Sequence, residues 1–129
     1  GKSSNFDEAL KHFNNSMLLY PNATAAFNIG QIYDIKGNLP KAKEYYYITH
    51  DVSKKARVSP KDQVGIFEKL ARISVLSDNP NNAKEFIEKQ LNNYPNSVIL
   101  WVYLAVANDK LGNKSEALMA AERAKFLLP

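Results

Sequence analysis

The stretch WVYLAVANDKLGNKSEALMAAERAKFLLP, Trp101 to Pro129, divides at LGN (111–113) into an apolar helical run and a second run that opens with KSEALMAA. Gly and Asn supply the backbone freedom and the local hydrogen bonding that a tight turn needs, so the pattern predicts two helices joined by a short turn. The same second-helix block occurs three more times, as FDEALKHF (6–13), LPKAKEYY (39–46) and PNNAKEFI (80–87). Aligned on Ala9, Ala42, Ala83 and Ala117, the blocks are 33, 41 and 34 residues apart. KGN (36–38) and SDN (77–79) stand where LGN does, and LLYPN (18–22), NNYPN (92–96) and FLLP (126–129) end three of the four blocks. A helix-turn-helix unit repeated at a fixed period is the mark of an array in which each unit packs on its neighbours.

Side-chain size follows the same period. Gly30, Ala71 and Ala105, facing Ala42, Ala83 and Ala117, let the two helices of a unit approach closely, while Phe13, Tyr46, Phe67 and Trp101 fill the gaps between units. Seven helices are expected, at roughly 5–20, 23–36, 39–56, 60–77, 80–93, 97–111 and 114–128. Pro40, Pro60 and Pro80 then fall in first turns, where a missing N–H costs little.

In this spacing the chain resembles the tetratricopeptide repeat family. Trp101, Leu104, Ala105, Gly112, Ala117, Ala124 and Pro129 fit its pattern in the last repeat. Phe67, Leu70, Ala71, Ala83 and Pro95 fit it in the middle one, and Ile29, Gly30, Tyr33, Gly37, Ala42, Tyr46 and Thr49 in the first. Ala9, Phe13, Ser16 and Pro21 supply a second helix alone. Ala26, Ser74 and Asn108 depart from the pattern, as does the lack of a proline after the second helix of the first full repeat. The resemblance implies one all-α domain, a right-handed α-solenoid with a half repeat (5–22) and repeats at 23–59, 60–96 and 97–129.

It also implies a protein-interaction scaffold whose first helices line a concave face where a partner peptide or protein surface lies. The residues so placed are Phe27, Asn28, Gln31 and Asp34, then Glu68, Lys69 and Arg72, then Val102, Tyr103, Val106 and Asp109. The carboxylate clamp that some members use on acidic chaperone tails is matched at only two of five positions, Asn28 and Lys69. Gly65 stands where a lysine belongs, so this ligand is disfavoured.

The 41-residue interval exceeds the period by seven, about two helical turns. VSKKAR continues past the expected helix end without a breaker, and Ser59-Pro60 reads as a cap and first position. One extra turn on each helix would project a basic elbow of Lys54, Lys55, Arg57 and Lys61. Residues 41–72 hold eight basic and four acidic side chains while the flanking segments are balanced, so the whole net charge of +4 lies around this elbow.

Other functions fare less well. His12 and His50 have no partner spacing that suggests a metal site or a nucleophile and base, and there is no Gly-rich phosphate loop. No enzyme activity, metal or cofactor is expected. Tyr33 and Tyr46 occupy core positions, Tyr45 is half committed, and a lone exposed Tyr47 beside four cations is thin support for nucleic-acid binding. Without cysteines or an apolar run of spanning length, the chain is compatible with cytoplasm or periplasm, the cytoplasm being favoured, and with no membrane contact. The opening GKSS and the terminal Phe126, Leu127 and Leu128 suggest an excised piece of a longer protein. Self-association, or docking onto the rest of a parent protein, is the alternative to a groove for partners.

Overall fold

A computed structural model of the chain describes residues 2–19 and 22–129. Among these residues there are seven α-helices, one 3-10 turn and no strand. They are α1 (Lys2–Leu19), α2 (Ala23–Ile35), α3 (Leu39–Lys55), the 3-10 turn (Pro60–Gln63), α4 (Val64–Ser77), α5 (Pro80–Asn93), α6 (Val98–Lys110) and α7 (Lys114–Leu127). This is the expected all-α helical repeat, with sequence neighbours α1/α2, α2/α3, α5/α6 and α6/α7 packed together. The expected proline turn at Pro21 lies outside the described residues. The chain divides into two compact units, Gly1–Ile66 and Phe67–Pro129.

Helix starts follow from capping chemistry. Asn22 Oδ1 accepts from Ala25 N at 2.7 Å, Asn38 Oδ1 from Lys41 N at 3.2 Å, Asn79 Oδ1 from Asn81 N at 2.8 Å and Ser97 Oγ from Leu100 N at 3.2 Å. Each satisfies an amide that the helix itself leaves unpaired. Part of the asparagine content is thus spent on starting helices.

Three helix ends share one geometry. Gly37 and Gly112 have φ of 82° and 80°. In α2, Gly37 N donates to Asp34 O and Asn38 N to Tyr33 O. Gly112 N and Asn113 N bond Asp109 O and Asn108 O in the same way at the end of α6. This paired bonding is the Schellman motif, which needs a left-handed residue after the helix. The end of α3 repeats it without glycine: Arg57, at φ 60°, donates its backbone N–H to Lys54 O at 3.1 Å, and Val58 N donates to Ser53 O at 2.9 Å.

The elbow therefore differs from its expected form. Helix α3 does run on to Lys55, but a definite turn stops it, and the segment from Pro60 is a 3-10 turn rather than the first turn of an α-helix. Ser59 makes no side-chain cap; only its backbone carbonyl is used, by Asp62 N. Helix α4 starts at Val64, where the repeat period itself places it.

In the first unit the α2/α3 contact is built from Ala25, Ala26, Ile29, Ile32, Ala42 and Tyr46, all buried. The glycine of this contact is occupied differently from the sequence reading. A Cβ on Gly30 would lie 2.8 Å from Tyr46 Cε1 and 3.4 Å from Tyr45 Cβ, so the missing side chain makes room for the Tyr46 ring, one turn beyond Ala42. Tyr46 thus fills space within its own helix pair. Its hydroxyl donates to Asp34 Oδ2 at 3.0 Å, and Tyr33 stacks on Tyr45 at 5.8 Å. Lys36 pairs with Asp7 of α1 at 2.6 Å.

In the second unit Ala71, Val75, Ala83, Ile87, Leu91, Leu100, Leu104, Ala107 and Ala120 form one apolar cluster. Ala105 and Ala117, expected at the tightest contact of the last pair, are half-buried, and Ala120 and Ala124 are buried instead. The two polar departures from the repeat pattern have partners. Buried Ser74 donates to Asp78 Oδ2 at 2.8 Å, and buried Asn108 accepts from Asn113 Nδ2 at 3.4 Å across the α6/α7 turn.

Candidate functional site

In the first unit, Phe27, Asn28, Gln31 and Asp34 lie along α2 at spacings of one, three and three, which keeps them on one side of the helix, and all four are half-buried. Phe27 is tilted against Tyr46 with ring centroids 5.6 Å apart, and Asp34 accepts the Tyr46 hydroxyl. Asn28 and Phe27 open into a cleft of about 310 Å³ with Thr24, Ser53, Asp62 and Ile66 on its other walls. The cleft joins one aromatic ring to several hydrogen-bonding groups.

In the second unit, Glu68, Lys69 and Arg72 are half-buried on α4. Ser97 donates its hydroxyl to Glu68 Oε2 at 2.6 Å, so this carboxylate also fixes the start of α6. Lys110 Nζ donates to the Val75 carbonyl, tying the end of α6 to α4. Helix α6 is apolar nearly all round: Leu100, Leu104 and Ala107 are buried, yet Ile99 and Val102 are 45% and 44% exposed. Tyr103 and Val106 are half-buried beside them, and Asp109 is exposed. Ile99 lies three, four and seven positions before Val102, Tyr103 and Val106 and so belongs to the same face. The sequence reading missed it because Trp101 is the first residue of this helix that the repeat pattern marks, and Ile99 lies before it.

That reading also missed a second cleft in this unit, of about 540 Å³. Trp101, Leu104, Met119 and Ala120 make its apolar wall, and Lys84, Glu88, Glu116 and Arg123 its charged rim. Trp101 Nε1 donates to the Pro95 carbonyl at 2.8 Å, which sets the ring against the α5/α6 turn. On the rim Lys84 Nζ meets Glu116 Oε2 at 2.8 Å, and the hydrogen bond to that carboxylate raises the Lys84 pKa above the ordinary lysine value. Tyr94 stands 5.8 Å from Phe67, and desolvation raises its phenol pKa.

The elbow belongs to the first unit. Lys54, Lys55, Arg57 and Lys61 are all exposed. Gln63, only 5% exposed, braces the turn: its Nε2 donates to the Val58 carbonyl at 3.1 Å, which leaves Oε1 to accept from His50 Nδ1 at 2.5 Å. His50 is therefore committed to a structural bond. Among the described residues no group of three or more Asp, Glu or His is placed to hold a metal ion, and no helix is long and apolar enough to cross a membrane.

Helical hairpins repeated along the chain and packed through small residues define an α-helical repeat protein. Residues 23–47 match the family model described as the tetratricopeptide repeat, which places α2, its Gly37 turn and the first half of α3 in that family's unit. The motif supports a protein-protein interaction module in general terms. Comparison with curated proteins found no match.

Proposed function

We propose that the protein is a non-catalytic interaction scaffold whose first helices, α2, α4 and α6, offer their open faces to a peptide segment or protein surface. The observation that carries this reading is α6. A helix apolar on all sides is normally covered on all sides, yet here one side leaves Ile99 and Val102 open beside Tyr103 and Val106. Lys69 and Arg72 on α4, and Asn28 and Gln31 on α2, are the polar contributions of the same reading. An apolar row with a ring at its edge suits the anchor side chains of a docked segment.

The test is a pull-down from the source cell with the wild-type chain, Tyr103→Ala and Arg72→Glu. Both variants should lose the captured partner while keeping wild-type helical content. Normal capture by both would remove the helix-face reading. Self-association is the second reading, favoured by Leu118, Met119 and Phe126 on α7, which are 61%, 69% and 75% exposed. Sedimentation over a concentration series separates the two, since a concentration-independent monomer counts against it.

A further inference from the structure

We infer that the α3/α4 elbow is a second, independent contact site, a preformed cationic turn that takes an acidic peptide segment of a partner protein. Three observations carry it. The first is where the chain accepts strain. Three helices end in the same Schellman motif, and two of them place glycine at its left-handed position. The third places Arg57 there, at φ 60°, in a conformation that is costly for any residue with a Cβ. Strain of this kind persists where the side chain is needed, and a glycine would serve the turn alone better.

The second observation is that the turn is fixed before any ligand arrives. Val58 N is held by Ser53 O, the Val58 carbonyl by Gln63 Nε2, and Gln63 in turn by His50. A preorganised turn avoids the entropy that ordering a flexible loop would cost on binding. The third is charge. Lys54, Lys55, Arg57 and Lys61 are exposed, and among the described residues none of the four is held in an ion pair.

The chemistry favours carboxylates over a nucleic-acid backbone. Asp51 and Asp62 stand exposed among the cations, where a continuous phosphate chain would meet them. Four cations are few for binding driven by counterion release, and of the three tyrosines in α3 only Tyr47 is exposed, so there is no row of rings for bases. A short acidic segment needs only a few carboxylates to meet these cations, with the Arg57 guanidinium taking one of them in a bidentate fork.

The experiment uses the whole chain and a fluorescein-labelled polyglutamate peptide, read by anisotropy at low and at physiological salt, with an oligothymidylate of equal charge as competitor. Binding is expected to the wild type, weakening with salt. Arg57→Gly should weaken it by roughly threefold and Lys54→Glu/Lys55→Glu/Lys61→Glu by roughly tenfold or more. Arg57→Gly should also melt about 2–4 °C higher, so its loss of binding cannot be misfolding. The inference is overturned if the wild type does not bind the peptide, if the variants bind it as the wild type does, or if oligothymidylate binds more tightly. Tyr103→Ala should leave peptide binding unchanged; its loss there would merge this site with the α6 face and equally overturn independence.

Discussion

Gly30 offers the sharpest test of how the first helix pair is packed. In Gly30→Ala the new Cβ would stand 2.8 and 2.9 Å from Tyr46 Cε1 and Cδ1, against about 3.5–4.0 Å for relaxed carbon contacts. The ring has little freedom to retreat. Tyr46 is fully buried, its hydroxyl is anchored on Asp34, Phe27 leans on it at 5.6 Å, and Tyr45 Cβ bounds the same space. Overpacking of this kind costs about 1–3 kcal/mol, and the tethered ring puts it in the upper half of that range. The intrinsic helix preference of alanine over glycine returns about 1 kcal/mol. The net expectation is a loss of about 1–2 kcal/mol.

Gly65→Ala is the matched control, because nothing lies within 4 Å of its added Cβ on α4; it should gain about 0.4–1 kcal/mol. Urea denaturation followed by circular dichroism reads both, as a lower midpoint for Gly30→Ala and a higher one for Gly65→Ala at unchanged slope. Adding Tyr46→Phe to Gly30→Ala frees the ring, so the pair should cost at least about 0.5 kcal/mol less than the sum of the single changes. Gly30→Ala as stable as wild type would refute the packing argument.

Further expectations follow from single contacts. Tyr46→Phe alone removes the bond to Asp34 and should cost about 0.5–1.5 kcal/mol in the same denaturation assay. Arg57→Gly relieves the left-handed conformation and should gain about 0.5–1 kcal/mol, with a gain absent if the turn is unstrained. Lys84 has its folded pKa raised by Glu116, so the folded chain keeps a proton that the unfolded chain gives up above the ordinary value of 10.5. Tyr94 acts in the same sense through its desolvated phenol. Stability should therefore be intact below pH 10 and fall as pH rises through the raised values, and Glu116→Gln should flatten the fall in alkaline melting curves.

The repeat was legible because each of its devices leaves a residue-level mark. The Gly37 and Gly112 turns and the first-turn prolines Pro40 and Pro80 fix helix bounds to within a few residues, and Ala42, Ala83 and Tyr46 are buried as the period requires. What escaped the sequence has no such mark. A left-handed Arg57 looks like any lysine-rich helix end, because the conformation is imposed by the bonds of Val58 and Gln63 rather than by the residue type. The cleft beside Trp101 depends on Met119 and Arg123 arriving from another helix, and the Gly30 contact on a ring one turn beyond the position that the alignment pairs with it. Ile99 escaped for a simpler reason: the pattern residues in α6 begin at Trp101, while the open face read at Val102, Tyr103 and Val106 runs one turn further towards the helix start.

The acids of the first helices sharpen where recognition can reside. Asp34 accepts the Tyr46 hydroxyl and Glu68 the Ser97 hydroxyl, so the first ties α2 to α3 and the second ties α4 to the start of α6. Removing either carboxylate would strand a hydroxyl and loosen a helix pair as well as alter a surface, so lost binding in such a variant would not locate a contact. Asn28, Gln31, Val102 and Tyr103 have no such bond among those that fix the caps and helix pairs. On these faces, then, the acids serve the packing of the helices. Under the proposed function, discrimination between partners would fall to the amides of Asn28 and Gln31 and to the apolar row along α6.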